Sequence, residues 1–219
     1  MSTTDLVEQT ISFVKETLYG AEAGHDWFHT QRVFRNALLL AKDEDVDVLI
    51  VSLGALLHDI ADAKFHDGDE TLGPTMAKKF LESLPVDRYI IDEVVSIITH
   101  ISYKNSLSKK DGDTHSKELQ VVQDADRLDA IGAIGIARAF HYGGFKNRTL
   151  YDPEIPPNLE MSKEEYKNSK SPTLNHFYEK LLLLKDKMNT ISGKKIAEER
   201  HLFLLKYLEQ FYEEWNGNA

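Results

Sequence analysis

Apolar positions recur three and four residues apart along most of this 219-residue chain, the spacing of one face of a helix. Val7, Ile11, Val14 and Leu18 follow it behind the polar start Ser2-Thr3-Thr4-Asp5, and Gly20 supplies a stop. A second helix is predicted from Asp26 to Lys42, where His29, Val33, Ala37 and Leu40 share a face. The stretch from Asp47 to His58 is apolar almost all round and reads as a central buried helix. Pro74 and Pro85 are placed to open helices over 74–83 and 86–101, the second carrying Ile90, Val94, Ile97 and Ile101 at helical spacing. Tyr103 to His115 reads as an exposed loop. From Ser116 a further helix sets Leu119, Val122 and Asp126 on one face, and Gly132 and Gly135 then allow close packing or a kink. Three prolines and weak periodicity mark a long loop over 143–171, of a length that is usually functional or mobile. Helices are predicted from Pro172 to Met188 and from Thr190 to Trp215. No segment alternates as a strand does, and no internal repeat is visible. The expected fold is all-α: one domain over 1–219, a multi-helix bundle with the long loop before C-terminal helices at 172–215.

Composition narrows the function. Lys and Arg number 26 against 36 Asp and Glu, a formal charge of −10 with nine histidines neutral. A surface of that sign disfavours nucleic acid polymers and anionic membranes as partners, because both are polyanions. With 42% hydrophobic and 28% charged residues the chain is expected to be a soluble globular protein. No basic-then-apolar leader is visible at the N-terminus, and the longest nearly apolar run, Val48 to Leu57, is about half a membrane span. A cytoplasmic location is the expectation. The absence of cysteine removes disulfides, thiolate nucleophiles and Cys-type metal sites, so any metal must be held by His, Asp and Glu.

Three His-Asp dipeptides occur, at 25–26, 58–59 and 66–67. Only His58-Asp59 ends a strongly apolar helix, which delivers an imidazole and a carboxylate together to the interior. A buried carboxylate there is costly unless paired or bound to a cation. His29 is polar on the inward face of its helix, and Asp126 is a carboxylate on the inward face of another. The set His29, His58, Asp59 and Asp126 suits one divalent cation of intermediate hardness: Mn²⁺ is favoured, with Mg²⁺, Fe²⁺, Co²⁺ or Ni²⁺ as alternatives. Each residue alone is more readily a hydrogen-bonded core histidine or a helix cap; the coincidence of four points to a metal.

The order His29, then His58-Asp59, then Asp126 resembles the signature of the HD-domain metal-dependent phosphohydrolase superfamily. The surroundings Gly24-His25-Asp26-Trp27-Phe28-His29, Ala55-Leu56-Leu57-His58-Asp59-Ile60 and Asp124-Ala125-Asp126-Arg127-Leu128-Asp129 are similar to the small stand-alone bacterial HD hydrolases. The third segment also resembles an element of the guanosine-tetraphosphate hydrolases, and Asn175-His176-Phe177-Tyr178-Glu179-Lys180-Leu181 resembles the C-terminal element of the stand-alone group. The resemblance implies an all-helical HD-type domain, with a metal-binding core over about 24–130, and hydrolysis of a phosphate ester or anhydride in which the cation polarises a phosphoryl oxygen and activates water. It also implies that Asp62, three residues after Asp59, assists the attacking water; capping the preceding helix is the plain alternative. A second metal at His66, Asp67 and Asp69 is the weaker expectation.

Phosphate requires cations, and residues 180–206 carry a local balance of +4 within the acidic chain. His176 and Lys180, one turn apart, are placed to reach a phosphate together. His25, His100 and Arg138 complete the candidate substrate contacts, each against the plainer reading of a surface charge or core histidine. Phe140, Tyr142, Phe145 and Tyr151 are candidates to stack on a base, against the commoner packing role. The leading reaction is hydrolysis of a nucleoside triphosphate with release of pyrophosphate. Phosphomonoester or phosphodiester cleavage, for example of a nucleoside 5′-monophosphate, competes with it. A non-catalytic nucleotide-binding module and a helical scaffold of paired His and Asp are the readings from other classes. Base preference and oligomeric state stay open.

Overall fold

The computed structural model describes residues 1–21, 24–61, 69–101, 116–161 and 169–218. Among these residues there are nine α-helices and no strand, an all-α fold. They are α1 (Thr3–Thr17), α2 (Trp27–Leu40), α3 (Val48–Leu57), α4 (Leu72–Glu82), α5 (Arg88–His100), α6 (Lys117–Asp129), α7 (Gly132–Phe145), α8 (Asn175–Glu179) and α9 (Ile191–Trp215). The chain divides into two compact units, Met1–Asp126 and Arg127–Ala219.

In the first unit α3 packs against α1, α2 and α5, and α4 lies on α5. Every residue of α3 from Ile50 to Leu57 is buried, as expected of a helix apolar on all sides. Asp47 starts it by accepting from Leu49 N (2.8 Å) and Ile50 N (3.2 Å). Gly54 permits the closest approach: a Cβ there would lie 3.1 Å from Ile97 of α5 and 3.5 Å from Val122 of α6. α6 is fixed by Asn36 of α2, whose side chain donates to Ala125 O, and by its own Gln123, which donates to His100 O.

Several predicted boundaries move. α1 ends at Thr17 with Leu18 as its cap, and Gly20 follows in the turn with φ +80°. Pro74 is the third residue of α4, while Pro85 precedes the cap of α5; Asp87 performs the capping by accepting from Tyr89 N. The inward positions of α5 are Ile91, Val94, Ile97 and Ile98, so Ile90 and Ile101 sit at the margin. The expected loop at 103–115 lies outside the described residues.

In the second unit α7 packs on α9 and extends to Phe145, so the long connection begins after it. Its base is pinned by Thr173 N to Thr149 O (2.9 Å) and Leu174 N to Leu150 O (3.0 Å). Instead of a helix over 172–188 there is five-residue α8, followed by 3₁₀ turns at Leu181–Leu183 and Lys185–Lys187. The reason is packing: Leu181 and Leu184 are buried while Leu183 is 49% exposed, and a 3₁₀ turn places residues three apart on one side. Phe140, Phe177 and Tyr207 form an aromatic cluster in this unit, and Tyr151 packs edge-on against Phe211, Tyr212 and Trp215.

Candidate metal centre

α2 begins at Asp26, whose carboxylate accepts from His29 N at 2.9 Å. That cap places His29 in the first turn, where it is only 2% exposed. His58 is the C-cap of α3, and Asp59 follows it in the turn. Asp126 comes from α6 with 42% of its side chain exposed. His29 Nε2 is 3.6 Å from Asp126 Oδ1 and 3.9 Å from Asp59 Oδ2. The His29 and His58 rings are 5.4 Å apart, edge to face. One ligand atom each from His29, His58 and Asp126 falls within a 4.8 Å span. All of this lies in the first unit.

The chemistry of the donors fits a cation. His58 Nδ1 lies 2.9 Å from Ala55 O; a carbonyl only accepts, so Nδ1 carries the hydrogen and Nε2 presents a lone pair. That Nε2 is buried and has no hydrogen-bond partner among the described residues. A buried unsatisfied nitrogen costs stability, and a metal ion is a group that removes the cost. Ligands of an ion with bonds of about 2.1 Å stand roughly 3–4 Å apart, close to the separations found. Burial would raise the Asp59 carboxyl, but the hydrogen bond from His25 and the charges of His58, His25 and His29 outweigh it and bring it to about 2.

The other described candidates have partners of their own. His25 Nδ1 is 2.5 Å from Asp59 Oδ2, so it meets the cluster through a carboxylate. His100 is exposed, its Nδ1 2.8 Å from Ser96 O, and does not end an inward face. Asp69 accepts from the backbone and hydroxyl of Thr71. Asp62, His66 and Asp67 lie outside the described residues. In the second unit, Arg138 donates to the buried Asp129 carboxylate at 2.6 Å. His176 is half-buried on α8, and Lys180 is the exposed C-cap of that helix. Burial, then Lys180 and Arg148, push the His176 imidazole down to about 3.

Sequence reasoning offered Arg138 as a substrate contact and missed that it joins other arginines at the end of α6. Arg127 donates to Lys187 O, Arg200 to Leu128 O, and Arg138 to both the carbonyl and carboxylate of Asp129. Guanidinium groups suit the unpaired carbonyls and negative dipole end of a helix. The signal was present in Asp129, a carboxylate one turn beyond Asp126 and therefore on a similar face.

The HD domain family model matches residues 27–131. Bacillus subtilis YpgQ is 37% identical over 212 residues, covering 96% of this chain and 94% of its own. The crystal structure of YpgQ in complex with ADP has a TM-score of 0.77 and covers 98% of this chain and 97% of that one. An HD-superfamily hydrolase from Bacillus thuringiensis is 42% identical with a TM-score of 0.78, covering 98% of this chain and 99% of its own. A Lactobacillus plantarum protein reaches a TM-score of 0.80 at 37% identity, covering 99% and 100%. Matches of this identity that run the length of both chains, with the domain model spanning α2 to α6, make the chain a member of the HD superfamily.

Proposed function

We propose that the protein is a divalent-metal-dependent phosphohydrolase acting on nucleotides, with release of pyrophosphate from nucleoside triphosphates as its reaction. The observation that carries this is the convergence of His29, His58 and Asp126 within 4.8 Å, beside Asp59 and with the buried His58 Nε2 unpaired. His29, His58, Asp59 and Asp126 would hold one cation, and the two carboxylates balance its two charges. Such an ion, Mn²⁺ by preference for this mixed nitrogen and oxygen set, supplies Lewis acidity toward a phosphoryl group and toward water. The ADP bound by YpgQ supports a nucleotide as the substrate. Asp62 is assigned to assisting the attacking water.

The test is a panel of nucleoside tri-, di- and monophosphates with Mn²⁺, Mg²⁺ or Ni²⁺, following phosphate and pyrophosphate separately. Pyrophosphate is the expected product, with turnover reduced at least about 100-fold in Asp59→Ala and Asp126→Ala, since losing a ligand itself should cost more than the roughly 10- to 100-fold that goes with an outer hydrogen bond. Turnover that survives both substitutions sinks the assignment of the site. Inorganic phosphate as the product moves the reaction to phosphomonoester cleavage.

A further inference from the structure

We propose that His25 is a positioning residue of the metal centre: its Nδ1–H fixes the Asp59 carboxylate in the orientation that faces His29 and the cation. This rests on the reading that the cluster binds a metal, and gives His25 a role acting through Asp59 in place of a direct contact with substrate.

Asp59 lies beyond the last residue of α3, in a turn. A carboxylate on a turn can rotate about its side-chain torsions, and a ligand that rotates binds its ion weakly. His25 removes that freedom. Its Nδ1 lies 2.5 Å from Asp59 Oδ2, and an ionised carboxylate only accepts, so the hydrogen resides on Nδ1. The two side chains are 23% and 14% exposed, which limits competition from water and strengthens the bond. The same Oδ2 lies 3.9 Å from His29 Nε2, so the bond fixes the carboxylate where it faces the cluster.

The donor is itself well fixed. His25 directly precedes Asp26, whose carboxylate caps α2 through His29 N. Its ring stands edge-on to His29 at 6.0 Å and 74°. The dipeptide His25-Asp26 therefore sets two groups of the centre at once: Asp26 sets the turn that carries His29, and His25 sets the carboxylate of Asp59. Because Nδ1 is turned to Asp59, that nitrogen does not serve as a ligand itself.

Mn²⁺ affinity, read on the full chain from the loss of the free-ion electron paramagnetic resonance signal, tests this without any turnover assay. Wild type is compared with His25→Ala, His25→Asn and Asp59→Ala, and the metal-free fold of each is followed by circular dichroism. Loss of an outer hydrogen bond to a metal ligand weakens binding about 10- to 100-fold, and that is expected of His25→Ala. Asparagine puts an N–H close to the place of Nδ1, so His25→Asn is expected to recover to within a few fold of wild type. Wild-type affinity in His25→Ala, alongside lost affinity in Asp59→Ala, overturns the positioning role and leaves the metal site standing. Asparagine no better than alanine also overturns it. Absence of Mn²⁺ binding by wild type instead overturns the metal reading beneath it.

Discussion

A buried imidazole has two nitrogens to satisfy, and His58 satisfies one: Ala55 O takes the Nδ1 hydrogen, and Nε2 is left without a partner. Without metal this nitrogen is a cost, so replacing the ring by an apolar side chain of similar size should be cheap. His58→Leu is expected to unfold in urea within about 1 kcal/mol of wild type in chelator, since removing an unsatisfied group offsets the lost hydrogen bond. The same variant is expected to lose all stabilisation by Mn²⁺. A large loss of stability in chelator would show that His58 is a structural residue first. His176 is a different imidazole, half-buried, and set well below its ordinary value at about 3 by desolvation, Lys180 and Arg148. As pH falls below about 6.5 the unfolded chain gains a proton that the folded chain refuses until about pH 3, so stability declines through that window. His176→Gln removes the titration, and urea midpoints measured between pH 7 and 5 should fall less steeply in it than in wild type.

At the scale of elements, two glycines of α7 separate local propensity from tertiary packing. A Cβ on Gly135 would sit 2.2 Å from the carbonyl oxygen of Ala130, while one on Gly144 meets nothing within 4 Å. Gly135→Ala is therefore expected to destabilise by at least about 1–3 kcal/mol through overpacking. Gly144→Ala should stabilise by roughly 0.5–1 kcal/mol, the helix gain of alanine over glycine. Denaturation midpoints of the two variants, measured side by side, check the opposite signs. This contrast also shows what the chain makes legible. α3 was readable because the run between Asp47 and His58 is apolar on all sides, and His58 stood out as a polar residue at the end of such a helix; the 42% exposure of the Asp126 side chain was not readable, since helical spacing gives only a face. The 172–188 segment was not, since Leu181 to Leu184 suit a helix and only the direction of the core selects a 3₁₀ turn. The His25 to Asp59 bond was equally hidden: it joins residues 34 apart in sequence through a turn whose path no local pattern specifies.

Across the whole molecule the charge of −10 takes on a different meaning once it is placed. Asp59 and Asp126 belong to that excess, and a bound cation would offset them locally while the rest still repels polyanions. No helix among the described residues is long and apolar enough to cross a membrane. The proposed ligands all come from the first unit, Met1–Asp126, and the ion should be linked to the stability of that unit. A ligand that binds only the folded state adds RT ln(1 + [L]/Kd), about 2.7 kcal/mol at a hundredfold excess over Kd. Mn²⁺ is accordingly expected to raise the thermal midpoint of wild type and to leave Asp126→Ala unmoved. Hydrogen exchange resolves where that energy acts: added protection should concentrate at the start of α2, the end of α3 and the stretch of α6 before Asp126, because the ion can only resist openings that separate its ligands. Protection spread evenly over α7 to α9 as well would mean that the cation acts by a route other than these four side chains.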